Sequence, residues 1–145
     1  MKQTERQGKR AIAATAIRSL APLSWMAVIY WFSSREGDDL NAMLPFFQRF
    51  LPGMESFNWG HLVSYFMLAL LMEFAAGRSS QRLGIKAIIV LLCVLYGVTD
   101  EYHQSFVGGR MADLHDLIND GIGALLAVLA TAMPPVRRRW SKVLS

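Results

Sequence analysis

Residues 99–121 read TDEYHQSFVGGRMADLHDLINDG. This stretch carries five carboxylates, two histidines and one arginine. It lies between two apolar runs, IKAIIVLLCVLYGV at 85–98 and IGALLAVLATAM at 122–133. Each run, with its polar shoulder, is long enough for a membrane-crossing helix, and Gly108 and Gly109 supply a turn between them. The pattern predicts a transmembrane hairpin whose tip is crowded with ionisable groups.

Two further apolar segments precede the hairpin. One covers about residues 20–33 (LAPLSWMAVIYWFS), with a start as early as Ala11, and one covers 59–77 (WGHLVSYFMLALLMEFAAG). The hairpin helices cover about 85–104 and 114–133. None is a full apolar 20-mer, but four such segments on a chain of 145 residues would leave a soluble domain little polar surface. The expected fold is all-α: a four-transmembrane-helix bundle forming one domain over residues 1–145. The composition agrees, at 53% hydrophobic and 18% charged.

The formal charge is +4, yet the basic residues sit at the ends of apolar runs, which points to membrane topology and not to nucleic acid. Lys2, Arg6, Lys9, Arg10, Arg18, Arg78, Arg82, Lys86, Arg137, Arg138, Arg139 and Lys142 fall on one side, and Arg35, Arg49 and Arg110 on the other. By the positive-inside rule both termini are cytoplasmic, with the loops near 35–58 and 105–113 outside. The polar hairpin tip then faces the extracytoplasmic side of the membrane.

The N-terminal MKQTERQGKR reads as a retained cytoplasmic tail. In the first outer loop, LNAMLPFFQRFLPGM suggests a short interfacial helix with Pro45 and Pro52 as breakers. The C-terminal RRRWSKVLS reads as a basic anchor with Trp140 at headgroup level. Cys93 is the only cysteine, so no intrachain disulfide forms, and it reads as an ordinary buried thiol.

Depth sorts the polar residues. At about 1.5 Å of rise per residue, Lys86 to Asp100 and Asp120 to Pro134 each span roughly 21 Å, Arg18 to Ser33 roughly 22 Å and Arg78 to His61 roughly 25 Å. All four helices thus bring polar groups to one level, a few ångströms inside the outer edge of a hydrocarbon core about 30 Å thick. The set is Ser33, Ser34, His61, Asp100, Glu101, His103, Gln104, Asp116 and Asp120, with Arg110 at the rim. Ionisable groups at such depth face the bundle interior and mark function. Glu73, the one acid in the inner halves, reads as snorkelling to the cytoplasmic interface.

Helical spacing places Asp100 and Gln104 on one face above Tyr96, and His61 and Tyr65 on another above Ala69. Asp113, Asp116 and Asp120 line a third, continued by Gly123, Ala124 and Ala127, small enough for a neighbouring helix to approach closely. Asp100 and Glu101 are adjacent and diverge by about 100° on a helix, so neither is expected to pair with the other. Cross-helix pairing with Asp116 or His61 is expected instead. Asp100, Glu101, Asp116, Asp120 and His61 are the candidate acid–base residues. Arg110 is the candidate counter-charge and anion clamp. Gln104, Ser33, Ser34, Tyr65 and His103 are candidate substrate contacts. A serine nucleophile at Ser33 or Ser34 would need His61 as its base. The histidines and acids are types that bind Zn²⁺ or a harder cation, but their spacing matches no metal signature, so no cofactor is expected. No Walker A or dinucleotide pattern is present.

At these residues the chain resembles the VanZ-like family of small membrane proteins. Phe32–Ser34 (FSS), His61 with Tyr65 and Leu68, DEYHQSF at 100–106, Gly109–Arg110, and Asp116, Asp120 and Gly123 carry the resemblance. It departs at Asn58, where the family often has lysine, and at Gly108, where it usually has proline. The resemblance implies a four-helix membrane protein and an association with low-level resistance to the glycopeptide teicoplanin. The outward polar site with Arg110 points to a partner among membrane lipids or lipid-linked envelope precursors, bound or modified at the outer face, and the resistance association agrees with that orientation. An enzyme and a non-catalytic accessory protein stay open. A proton or ion pathway fits less well, because the inner halves of the helices are nearly all apolar.

Overall fold

The computed structural model describes residues 2–50, 52 and 58–144, with side chains described from Thr15 onward except at a few positions between 37 and 58. The basic N-terminal side chains and part of the apolar outer-loop segment therefore lie outside the described residues. The described residues form six α-helices and no strand: α1 (Lys2–Ser33), α2 (Gly37–Gln48), α3 (Asn58–Ala76), α4 (Leu83–Gln104), α5 (Leu114–Ala132) and α6 (Pro134–Val143). A 3₁₀ turn at Gly77–Gln81 joins α3 to α4.

Among the described residues three helical segments are long and apolar enough to cross a membrane: Trp59–Gln81, Leu83–Gln104 and Leu114–Ala132. Their boundaries lie close to those expected from sequence, because the flanking basic and turn residues end the apolar runs. α1 is not among the three. It is one continuous helix from Lys2 where a tail followed by a span from about Leu20 was expected, and Pro22 sits inside it.

The exposed faces are apolar. Ile88, Leu91, Leu92, Leu95 and Val98 point outward from α4, and Ile118, Ile122, Leu125, Leu126 and Leu129 from α5. Polar groups and small residues point inward. This inversion of the soluble pattern suits helices solvated by lipid, where association depends on close packing and polar contacts.

α3 and α5 make the most extensive contact in the bundle. At its centre is Gly123: a Cβ there would collide with the backbone carbonyl of Leu62. The small-residue face expected on α5 therefore does let its neighbour approach to backbone contact. Trp25 Nε1 donates to Ser64 O at 2.9 Å and ties α1 to α3. Tyr96 Oη donates to Met26 O at 2.8 Å and ties α4 to α1. Tyr65, Leu68, Ala69, Ile89, Cys93, Ala124, Ala127 and Val128 fill the core, so Cys93 is the buried thiol its setting predicted.

Three inner and loop expectations are corrected. Pro45 does not end α2 but lies in its last turn, where the helix loses one hydrogen bond and continues to Gln48. Glu73 does not snorkel: it is fully buried and ion-paired to Lys86, whose ammonium also donates to Thr131 Oγ1 at 2.7 Å. Trp140 reaches into the bundle, and its Nε1 donates to Glu73 Oε2 at 2.8 Å. The physical reason is shared by Glu73 and Trp140. A buried carboxylate needs a cation and donors, and Lys86, Thr131 and Trp140 supply them. Leu144 is buried behind α6, and its carbonyl accepts from Arg18 at 3.2 Å.

Candidate functional site

The other end of the bundle gathers the acids. α1 ends there with Ser33, followed by Ser34, and the first turn of α3 brings His61 there. α4 ends there with Asp100, Glu101, His103 and Gln104, and α5 begins there with Asp116 and Asp120. Because successive long helices alternate in direction, residues scattered over 88 positions of sequence, Ser33 to Asp120, share one level. It lies about 18 Å from the Glu73 cluster, counting twelve residues of rise from His61 along α3.

Ser33, Asp100, Glu101, Gln104 and Asp120 are buried. The His61 and Asp116 side chains keep 12% and 15% of their exposure, so the cluster opens at its rim. His61 Nδ1 and Asp120 Oδ1 share a hydrogen bond of 3.0 Å, in which an ionised carboxylate makes Nδ1–H the donor. His61 Nε2 lies 3.7 Å from Asp116 Oδ2. One nitrogen of His61 and one carboxylate oxygen from each of Asp100 and Glu101 lie within 4.8 Å of one another. The expected divergence of Asp100 and Glu101 therefore does not separate them: long side chains from adjacent positions bring both carboxylates beside the same imidazole.

The remaining contacts support this group. Gln104 Nε2 donates to Asp100 Oδ2 at 3.2 Å, the i, i+4 pair the spacing predicted. Glu101 Oε2 accepts from the backbone N–H of Asp113 at 2.8 Å and so holds the returning loop against α4. The His61 and Tyr65 rings lie nearly parallel, 8° apart, with centroids separated by 6.4 Å. The turn before α5 uses Gly109 at φ 72°, the left-handed conformation that favours glycine.

Two expected contacts are placed differently. Ser34 Oγ meets His103 Nε2 at 3.0 Å, not His61, and His103 stacks on Tyr30 with centroids 4.5 Å apart. Ser34 also donates to Tyr30 O at 2.7 Å, so its single proton is engaged and it accepts from His103. That arrangement does not activate a serine nucleophile. Arg110 is half-buried and forms no ion pair among the described residues, so none of the described acids has it as a direct partner. His115 is exposed, and its ring and amide meet Asp113 at the start of α5. Those contacts, the backbone N–H first and the ring second, hold the Asp113 carboxyl below its ordinary value.

Gly97 belongs to the site although its sequence position did not single it out. A Cβ there would lie 2.6 Å from Asp120 Oδ2, so the carboxylate rests against the α4 backbone. The available signal was a glycine inside an otherwise strong helix, a position that usually has a packing reason.

Five of the six buried side-chain oxygens without partners among the described residues lie in this region, Ser33 Oγ, Tyr65 Oη, Glu101 Oε1, Gln104 Oε1 and Asp120 Oδ2; the sixth, Ser80 Oγ, lies in the turn after α3. Such atoms are costly unless something satisfies them.

Helices with apolar outer faces and an acidic cluster gathered inside one end define an integral membrane protein with a candidate polar site. The VanZ/LLP1 family model matches residues 18–133, and the chain belongs to that family. No curated protein and no solved structure matches it.

Proposed function

We propose that this VanZ/LLP1 protein binds or modifies a lipid headgroup or lipid-linked envelope precursor at an extracytoplasmic polar site. In this reading α1 is a fourth span, since Leu20, Leu23, Val28 and Trp31 leave it an apolar outer face while Trp25 packs it onto α3. Both termini are cytoplasmic, and α6, with its exposed Arg137, Arg138, Arg139 and Lys142, lies on the inner side of a bacterial plasma membrane.

The observation that carries the proposal is the convergence of His61, Asp100, Glu101, Asp116 and Asp120 from three helices, with buried oxygens left unpartnered. A purely structural network would satisfy those oxygens. Asp100, Glu101 and Asp116 would exchange protons with the bound group, Asp120 would orient His61, and Arg110 at the rim would meet its phosphate. Ser33, Gln104 and Tyr65 would contact the ligand from the cluster wall, and Ser34 with His103 from the α1 side.

A second reading has its own support. Asp120 bonds His61 and Glu101 bonds the Asp113 amide, so two of the acids also stabilise helix and loop positions. An accessory protein that alters glycopeptide access without turnover would need no more.

The test is a comparative lipid extract by mass spectrometry from cells carrying wild type, Glu101→Gln or empty vector at matched membrane levels, with teicoplanin susceptibility measured in parallel. A lipid or precursor changed by wild type alone supports modification. Identical extracts with an Glu101-dependent shift in susceptibility favour the accessory reading, and no difference in either sinks both.

A further inference from the structure

We propose that His61, Asp100 and Glu101, completed by Asp116, form a binding site for a divalent transition-metal cation such as Mn²⁺ or Zn²⁺. The sequence spacing gave no hint of it, because the ligands come from three helices. The donor atoms of the first three lie within 4.8 Å of one another. Bonds of about 2.1 Å place donors roughly 3–4 Å apart around a cation, so side-chain adjustments on the order of 1 Å close the site.

Two observations besides the cluster point to a cation. Glu101 is only 6% exposed, yet its Oε1 has no partner. No lysine or arginine forms an ion pair with any of these acids among the described residues, although the same bundle supplies Lys86 to Glu73 at its other end. Several carboxylates in a low-dielectric interior repel one another unless protons or a cation compensate them.

The histidine is set for ligation. With Nδ1–H held by Asp120 at 3.0 Å, Nε2 keeps its lone pair and faces Asp116 Oδ2 at 3.7 Å. A carboxylate behind a ligating imidazole fixes its tautomer and raises its basicity, which makes Asp120 a positioning residue. One imidazole nitrogen with carboxylate oxygens suits Mn²⁺ or Zn²⁺ better than a thiolate-preferring ion.

The inference deepens the proposed function: a cation here would draw an anionic headgroup to the rim near Arg110. The site itself is tested without lipid. Detergent-purified protein is stripped with chelator, equilibrated with Mn²⁺ or Zn²⁺ alone, and measured for bound metal and for Tm. Wild type and the surface control His115→Ala are expected to hold about one cation per chain and to melt at higher temperature with it. Glu101→Gln and Asp100→Asn are expected to lose both effects while their metal-free melts stay intact. No uptake by wild type, or uptake that both variants retain, overturns the site. If uptake fails while the Glu101-dependent lipid change persists, the cation is wrong and the lipid function stands. Uptake without any lipid change supports the cation and counts against the lipid function.

Discussion

Asp120 faces two helices at once: its Oδ1 meets His61 Nδ1 of α3 at 3.0 Å, and its Oδ2 lies against the α4 backbone at Gly97. The imidazole is therefore oriented by a carboxylate that has no freedom of its own. That couples the packing of α4 and α5 directly to the geometry of the site.

Gly97→Ala is expected to disturb this coupling. The new methyl would sit 2.6 Å from Asp120 Oδ2 and push the carboxylate away from His61. Overpacking of this kind costs about 1–3 kcal/mol. A thermal melt should fall accordingly, and metal uptake and the lipid change should weaken together. Wild-type values in all three would show that the Asp120–His61 contact is not what orders the site.

Gly123→Ala tests the α3–α5 seam. Its methyl would meet the Leu62 carbonyl, a backbone atom that no rotamer change can move, so the helices must separate. The expected loss is about 1–3 kcal/mol or more. Gly121→Ala, where the nearest atom is Val94 Cγ2 at 3.5 Å, is the matched control and should be tolerated. Equal melting temperatures for the two variants would contradict the close approach.

At the inner end, Lys86→Met should cost about 3–5 kcal/mol, because it leaves the Glu73 carboxylate buried and uncompensated. Adding Glu73→Leu should recover most of that loss, since an apolar replacement of a buried pair is often neutral. Thermal unfolding followed by circular dichroism checks both. A double variant no more stable than Lys86→Met would show that Glu73 acts mainly through Thr131 and Trp140.

The boundaries of α3, α4 and α5 and the gathering of the acids at one end were legible in sequence because both follow from local periodicity and depth. Asp100 with Gln104, His61 with Tyr65, and the small face of α5 all lie where a 3.6-residue repeat puts them. What periodicity cannot carry is the choice of partner across helices. His103 took Ser34, Arg110 took no acid among the described residues, and Lys86, which looked like a topological marker, became the counter-ion of Glu73. Each outcome depends on interhelical rotation and register, which the packing at Gly97 and Gly123 determines.

The start of α5 gives the pH prediction. Asp113 caps the helix by accepting from the His115 amide at 2.8 Å, while its own amide is held by Glu101. The His115 amide first, and its ring second, lower the carboxyl below its ordinary value. A depressed folded value means the ionised cap stabilises the folded state at neutral pH. That contribution is present above the unfolded value, near pH 4, and fades as pH falls through the lower folded one. Hydrogen exchange at the His115 amide, corrected for its intrinsic pH dependence, should accelerate below about pH 4 in wild type. Asp113→Ala should exchange fast at every pH. A wild-type profile flat across that range would mean that Glu101, and not the Asp113 cap, secures the entry of α5.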